Sequence, residues 1–469
     1  MASGDMTGAA LYRTIWRWHF YAALLVMPLV LVLASSGAIY LFKPQIDRWE
    51  ERDWRELGTA GAVSPDAQLA AALAAFPGAR FHAYRLPEAA GDAAMVHLAL
   101  PKGDQAGAQP MVDVFVSPQG KVLGSLDPET RITATIARFH GSLLLGRAGD
   151  WLVELAASWA IVMILTGLYL WWPDGRGLAG VAWPRLSHGS RLAWRDMHAV
   201  TGFWVSGLAL VLLCTGLPWA GVWGSGFRLV RSEMGWVKGP QQWKVGAGGA
   251  PVAAPADPHA AHDHAAMAGM AHAMPASALP AGQLSRFVAK ARGEAMAFPV
   301  LVLPPHAPQR FGPPTGDVWT VKSEAQNRTL NRSVSYDPAT GAEAARDDFA
   351  AKHPIDRIVA YGIAWHEGQL LGLFNQLVGV ATALMLVTLV VSGFVMWRRR
   401  KPAGTLGAPP LPAAPARLRG MALIVLLLAA ALPLLAASLI ALLLVERVIL
   451  RRIPAASRWL GLAPAFGAP

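Results

Sequence analysis

Four histidines stand beside apolar runs in this 469-residue chain: His19, His140, His198 and His366. Their spacing is duplicated. His19 lies 18 residues before Gly37, within "SSG", and His198 lies 18 before Gly216, within "CTG". His140 precedes Gly146 by 6 residues, Gly167 by 27 and Trp171 by 31. His366 precedes Gly372, Gly393 and Trp397 by the same 6, 27 and 31. Ionisable groups at membrane depth are costly and usually functional. A lone interfacial histidine is ordinarily an amphipathic residue with its polar edge in water, but that account does not predict matched pairs. Two opposed imidazoles across a flat, largely apolar macrocycle are what a bis-histidine b-type haem requires. Direct binding of iron or copper by imidazole is the runner-up. It is short of ligands, since two histidines per site are too few and nearby carboxylates are sparse apart from Asp196 and Glu367.

The elements that must carry these residues are membrane spans. The chain is 54% hydrophobic and 15% charged, where a soluble domain carries nearer a quarter charged residues. About 20 apolar residues cross a bilayer, and five runs qualify. The expected order is a cytoplasmic N-terminus (1–19), a first span (20–42), a periplasmic domain (43–150) and a second span (151–172). A cytoplasmic loop (173–195), a third span (196–222) and a second periplasmic domain (223–369) follow. The chain then continues through a fourth span (370–397), a basic cytoplasmic loop (398–420), a fifth span (421–445) and a tail (446–469). The first run is too long for a signal peptide and no clear A-x-A site follows it. Arg13 and Arg17 precede it, and Arg398, Arg399, Arg400 and Lys401 follow the fourth. Cytoplasmic loops collect such residues, so the net charge of +11 reads as topology and not as a nucleic-acid footprint. The fifth span conflicts with this rule, because it places Arg447, Arg451, Arg452 and Arg458 outside; a re-entrant segment would remove the conflict.

Each periplasmic segment holds a period-two stretch around a Pro/Gly turn, "MVDVFVSPQGKVLG" at 111–124 and "NRSVSYDPATGAEA" at 331–344. Such patterns read as strand–turn–strand. The expected fold is a membrane α-helical bundle of two pseudo-symmetric span–domain–span units, a fifth C-terminal span, and two small α+β periplasmic domains. Both units enter from the cytoplasm, so the repeat is parallel about an axis along the membrane normal. His19 and His198 then meet at the cytoplasmic edge, and His140 and His366 at the periplasmic edge. Trp16, Trp18, Phe203 and Trp204 inside, and Phe139, Trp151 and Trp365 outside, are candidates to line two porphyrins. Arg17, Arg138 and Arg195 are candidates for the propionates. The one cysteine, Cys214, rules out disulfide frameworks and iron–sulfur sites built from this chain alone, and C-x-x-C-H is absent.

The segments "WRWHFYAALLVMPLVLVLASSGAIYLF", "ARFHGSLLLG", "LTGLYLWWP", "RDMHAVTGFW" and "AWHEGQLLG" together resemble the PepSY-associated transmembrane family, also called iron-regulated membrane proteins. The resemblance covers roughly residues 10–400. It implies PepSY-type periplasmic domains in a bacterial inner membrane. For the siderophore-reductase members it implies two haems and reduction of iron in the periplasm. His19, His198, His140 and His366 match the family's membrane-edge histidines. Segment 251–280 and the fifth span match least.

Residues 257–274 read "DPHAAHDHAAMAGMAHAM". Imidazoles of His259, His262, His264 and His272 with thioethers of Met267, Met270 and Met274 would suit copper, Cu(I) above all. A flexible low-complexity insertion with adventitious affinity is favoured over a tether that delivers metal. No dinucleotide or Walker motif is present, so electrons must come from a quinol or a separate cytoplasmic reductase. The expected function is a di-haem b oxidoreductase passing electrons to a ferric siderophore or other metal chelate. The competing readings are a non-enzymatic membrane-anchored regulator, which would tolerate His→Ala at all four positions, and a metal transporter, which would move metal without redox chemistry.

Overall fold

The computed structural model describes residues 3–101, 109–172, 178–236, 280–309, 314–411 and 419–462. The first half runs α1 (Ser3–Tyr40), α2 (Lys43–Glu50), α3 (Pro65–Ala75), β1 (Arg80–Arg85), β2 (Ala94–Ala99), β3 (Met111–Val116), β4 (Val122–Leu126), α4 (Ile132–Ser142) and α5 (Gly146–Trp171). The second runs α6 (Ser190–Gly216), α7 (Gly221–Glu233), α8 (Gln283–Gly293), β5 (Val300–Leu303), β6 (Trp319–Ser323), β7 (Arg332–Tyr336), β8 (Glu343–Asp348), α9 (Pro354–His366) and α10 (Leu373–Arg400). Three helices close the chain: α11 (Arg419–Ala431), α12 (Pro433–Val448) and α13 (Pro454–Leu460).

Among the described residues five helices are long and apolar enough to cross a membrane: α1, α5, α6, α10 and α12 with its extension to Arg452. The protein is thus a multi-pass helical membrane protein. Around a central space α1 packs on α5, α5 on α6, α6 on α10, and α10 back on α1. Such a ring offers its interior to a ligand held from facing helices. One end carries the strands (the sheet face), and the other carries Arg398–Arg400 (the basic face).

Two separate small domains were expected; the strands instead form one antiparallel eight-stranded sheet, ordered β4-β3-β2-β1-β5-β6-β7-β8. The seam is the short β1–β5 ladder, Tyr84 opposite Val302 and Arg85 opposite Leu301. The pairing joins segments far apart in sequence, so no local pattern announces it. The hairpins read at 111–124 and 331–344 are β3–β4 and β7–β8. One face of the sheet buries Tyr84, Val96, Val114, Trp319 and Val334 against Leu69 of α3 and Phe287 of α8. The ring of Trp319 stacks on Phe287 at 4.9 Å.

The other face bears the ion pairs that hold α4. Arg131 donates to Glu50 at 3.1 Å and pairs with Glu51 at 2.9 Å, while Arg85 meets Glu51 at 2.7 Å. The Ile132 amide, first in α4, donates to Glu50 at 3.0 Å. Helix α9 is anchored by a buried pair between Arg231 of α7 and Asp356 in its own first turn. On β3, Asp113 bonds His97 of β2 at 2.6 Å. Burial works against its charge, yet His97, Arg131 and Arg85 hold its carboxyl below the ordinary range. A depressed carboxylate contributes stability that is present above its unfolded value and lost as pH falls through its folded one. Thermal melts of the purified protein should therefore fall below about pH 4. Asp113→Asn should flatten part of that dependence and cost about 1–3 kcal/mol at neutral pH, as for a hydrogen bond to a charged group. An unchanged acid limb in D113N would refute the assignment.

The fifth span, expected as one helix over 421–445, is broken at Leu432. Pro433 lacks the amide that would continue α11, and the residue before a proline avoids the helical region. The Trp223 indole, at the head of α7, donates to Ala431 at 3.0 Å. The chain returns on α12, which packs on α5 where Trp159 donates to Ser438 at 3.1 Å. Beyond it the tail meets the basic face: Leu406 N–H donates to Trp459 at 2.8 Å, and Arg17 donates to Gly461 at 2.9 Å and to Pro409. Segment 401–411 and the tail thus share one face, and α11–α12 is a hairpin between them. The conflict over the tail arginines disappears. Two further boundaries differ: α1 takes in most of the expected N-terminal tail, and α10 includes Arg398–Arg400.

Candidate functional site

The two expected histidine pairs face one cavity of about 1690 Å³ inside the helix ring. Small-molecule pockets usually hold about 300–1,000 Å³. His19 lines it from α1 and His198 from α6, toward the basic face. His140 and His366 line it toward the sheet face, from α4 and α9, which are separate short helices and not the ends of spans.

Each imidazole is seated in the same kind of socket. A Ser-Gly or Thr-Gly dipeptide on a membrane helix faces each one: Ser36-Gly37, Thr166-Gly167, Thr215-Gly216 and Ser392-Gly393. The glycine supplies room. A Cβ added at Gly37 would stand 3.0 Å from Cε1 of His140, and one at Gly216 would stand 3.1 Å from His366. At Gly167 and Gly393 the corresponding distances to His19 and His198 are 3.3 and 3.4 Å. The hydroxyl supplies a hydrogen bond to Nδ1: His19 with Thr166 at 2.9 Å, His140 with Ser36 at 3.1 Å, His198 with Ser392 at 3.1 Å and His366 with Thr215 at 3.3 Å.

These contacts fix the tautomer. A hydroxyl has one proton, and each of the four spends it on the carbonyl one turn back. Thr166 donates to Val162 at 2.7 Å, Ser36 to Val32 at 2.9 Å, Thr215 to Val211 at 2.7 Å and Ser392 to Thr388 at 2.6 Å. Each hydroxyl oxygen must then accept from the imidazole, so Nδ1 carries the proton. Backbone carbonyls, which only accept, agree: Nδ1 of His366 donates to Leu212 at 2.9 Å and that of His198 to Leu389 at 3.1 Å. Nε2 is left with its lone pair, the form in which neutral imidazole binds metal. Burial pushes His366 down to about 4, with His140 beside it adding to the shift, and burial likewise lowers His140. Both rings on the sheet side are therefore neutral at ordinary pH.

The rings of His140 and His366 lie 6.3 Å apart, centre to centre, at 62°. A metal about 2 Å from one nitrogen on each side separates two ring centres by roughly 6 Å once the ring radii are added. Among the described residues no three His, Cys, Asp or Glu side chains converge as a metal site would need. Two imidazoles per site would fit only a metal whose other ligands come from elsewhere, as from a macrocycle.

The expected surroundings are reached in part. Trp16 and Phe203 line the cavity, and Trp171 stacks on Phe203 at 4.1 Å. Trp18, Trp204, Phe139 and Trp151 are exposed and belong to the outer surface. Arg138 and Arg195 line the cavity, paired with Glu129 at 3.5 Å and Asp196 at 3.2 Å. Arg17 does not; its guanidinium is taken by the tail and the 401–411 segment. Arg399 and Arg400 line the basic mouth instead. Sequence reasoning missed the four hydroxyls, although a Ser/Thr-Gly dipeptide in each of the four ring helices was the available signal. His259, His262, His264, Met267, Met270, His272 and Met274 lie outside the described residues. A family model described as PepSY-associated TM region matches residues 16–400. No curated protein matches the chain.

Proposed function

Because the chain belongs to the PepSY-associated TM family, whose model spans all four helices of the ring and the whole sheet, we propose that it is a di-haem b oxidoreductase of a bacterial inner membrane. In this reading it passes electrons to a ferric chelate outside the cytoplasm. The observation that carries it is the duplicated pair of Nδ1-anchored histidines turned on one cavity. Each pair takes one imidazole from each half of the chain. The repeated order of elements supports two pseudo-symmetric units about an axis through the ring.

A bound haem supplies a one-electron ferric–ferrous couple. The chain's own residues do the rest. His19 and His198 would hold one haem near the basic face, and His140 and His366 would hold the other near the sheet. The glycines let the rings approach their helices, and the hydroxyls fix their rotation. Arg195 and Arg399 at the basic mouth, and Arg138 at the other, offer guanidinium groups to propionates. The apolar middle of the cavity, lined by Val30, Leu33, Met163 and Ala209, excludes water between the two sites. By the positive-inside rule the basic face is cytoplasmic. Electrons enter there from a quinol, which yields two electrons and two protons, or from a separate reductase. Each ferric ion takes one electron, and hard oxygen ligands hold the ferrous product less tightly.

The test is a spectrum. Protein purified in detergent after haem-sufficient expression should show two b-haems per chain by pyridine haemochrome, and the dithionite-reduced form should be reoxidised by a ferric hydroxamate. Absence of a Soret band would sink the reading and favour an anchored binding protein or a metal transporter.

A further inference from the structure

The four sockets are not equivalent. Nδ1 of His198 has the Leu389 carbonyl besides Ser392, and that of His366 has Leu212 besides Thr215. His140 has the Leu33 carbonyl besides Ser36. For His19 the Thr166 hydroxyl at 2.9 Å is the only Nδ1 partner given by the described residues. Thr166 is itself buried and locked by its bond to Val162. Its Oγ1 therefore presents a fixed lone pair to one imidazole and has no proton to offer in return.

We propose that Thr166 is a positioning residue that sets the electron affinity of the His19–His198 site through the Nδ1–H of His19. The proposal rests on the haem reading above. An acceptor on Nδ1–H raises the donor strength of Nε2 and so favours the ferric state. At three histidines a backbone carbonyl keeps this effect when the hydroxyl is removed. At His19 nothing else on the described elements does. Thr166→Val keeps the shape and deletes the acceptor, so the site near the basic face becomes easier to reduce. Its potential rises while the other site stays put, and the gap that steers electrons between the two sites changes. Thr215→Val and Ser392→Ala raise the potentials of their sites less, because the Leu212 and Leu389 carbonyls still accept from Nδ1.

The experiment is a redox titration of the purified haem-loaded protein, following the reduced α-band, for wild type, T166V, T166S, T215V and S392A. The expected result is two haems in every variant and the largest rise of one midpoint in T166V. The expected size is a several-fold to tenfold shift in the ferric–ferrous ratio, tenfold being about 59 mV for one electron. T166S should restore the wild-type value. Haem loss in T166V with full haem in T166S also supports the role, since the variant that keeps the hydroxyl then keeps the haem. Unchanged potentials in T166V, equal shifts in T215V or S392A, or haem loss in both Thr166 variants would overturn it. A wild-type protein without haem would remove the underlying reading instead, which the starting spectrum decides before any variant is compared.

Discussion

His366→Ala should leave the protein folded with half its haem, and electron delivery to a ferric chelate should fall by more than about a hundredfold, beyond the usual cost of losing a mere supporting group around a metal ligand. The argument is geometric. His366 sits at the end of α9, and its partner His140 sits near the end of α4, with ring centres 6.3 Å apart. Neither helix carries His19 or His198, whose sockets lie on α5 and α10. Removing one imidazole would leave the sheet-side site with one of its two histidines, and it leaves the other site's histidines and hydrogen bonds in place. Pyridine haemochrome against protein concentration should give one haem in H366A and one in H140A, and the double variant should lose no more than either single one. Retention of two haems would show that the pair is not axial. Loss of both would show that the sites are not independent.

Gly37→Val should reproduce that loss without touching a ligand. A Cβ there would lie 3.0 Å from Cε1 of His140, inside ordinary contact, and the two γ-carbons of valine would occupy the space of the ring. The imidazole cannot yield without giving up the bond between Nδ1 and Ser36 at 3.1 Å. Overpacking of this kind costs about 1–3 kcal/mol, and here the side chain displaced is one of the histidines proposed to hold the haem. Gly393 makes the internal control. Its Cβ would stand 3.4 Å from His198, an ordinary contact, so Gly393→Ala should keep both haems while Gly37→Val keeps one. The readouts are haem per chain and melting temperature. Equal haem content in the two variants would contradict the socket reading.

Much of this arrangement was legible in the sequence because it rests on local periodicity and on repetition. The spans were visible as apolar runs, the two outer hairpins as alternation around Pro/Gly turns, and the histidine pairs as equal offsets in two stretches of chain. What stayed hidden depends on contacts distant in sequence. The β1–β5 seam joins Tyr84 to Val302, so two expected domains became one sheet. Arg17 stands two residues from His19 and seemed a natural propionate ligand, but its partners Pro409 and Gly461 come from the far end of the chain. The four hydroxyls lay in plain view beside the matched glycines. Ser and Thr within membrane helices often bond only to their own backbone, and nothing short of the packed helices showed that they also face imidazoles. The break at Pro433 was readable, since a proline within an apolar run rarely leaves one straight helix.

The central place of β1 in the sheet has a consequence for synthesis. Strands β1 to β4 pair as a local meander and can form as soon as they are made. The free edge of β1 must then wait for β5, which emerges roughly 200 residues later, a delay of about 10–40 s at ordinary elongation rates. An open strand edge invites the wrong partner. During that interval the β1 edge of the half-sheet is open to mispairing, and the strand carries Arg80, His82 and Arg85, charged or titratable groups of the kind that discourage pairing with strangers.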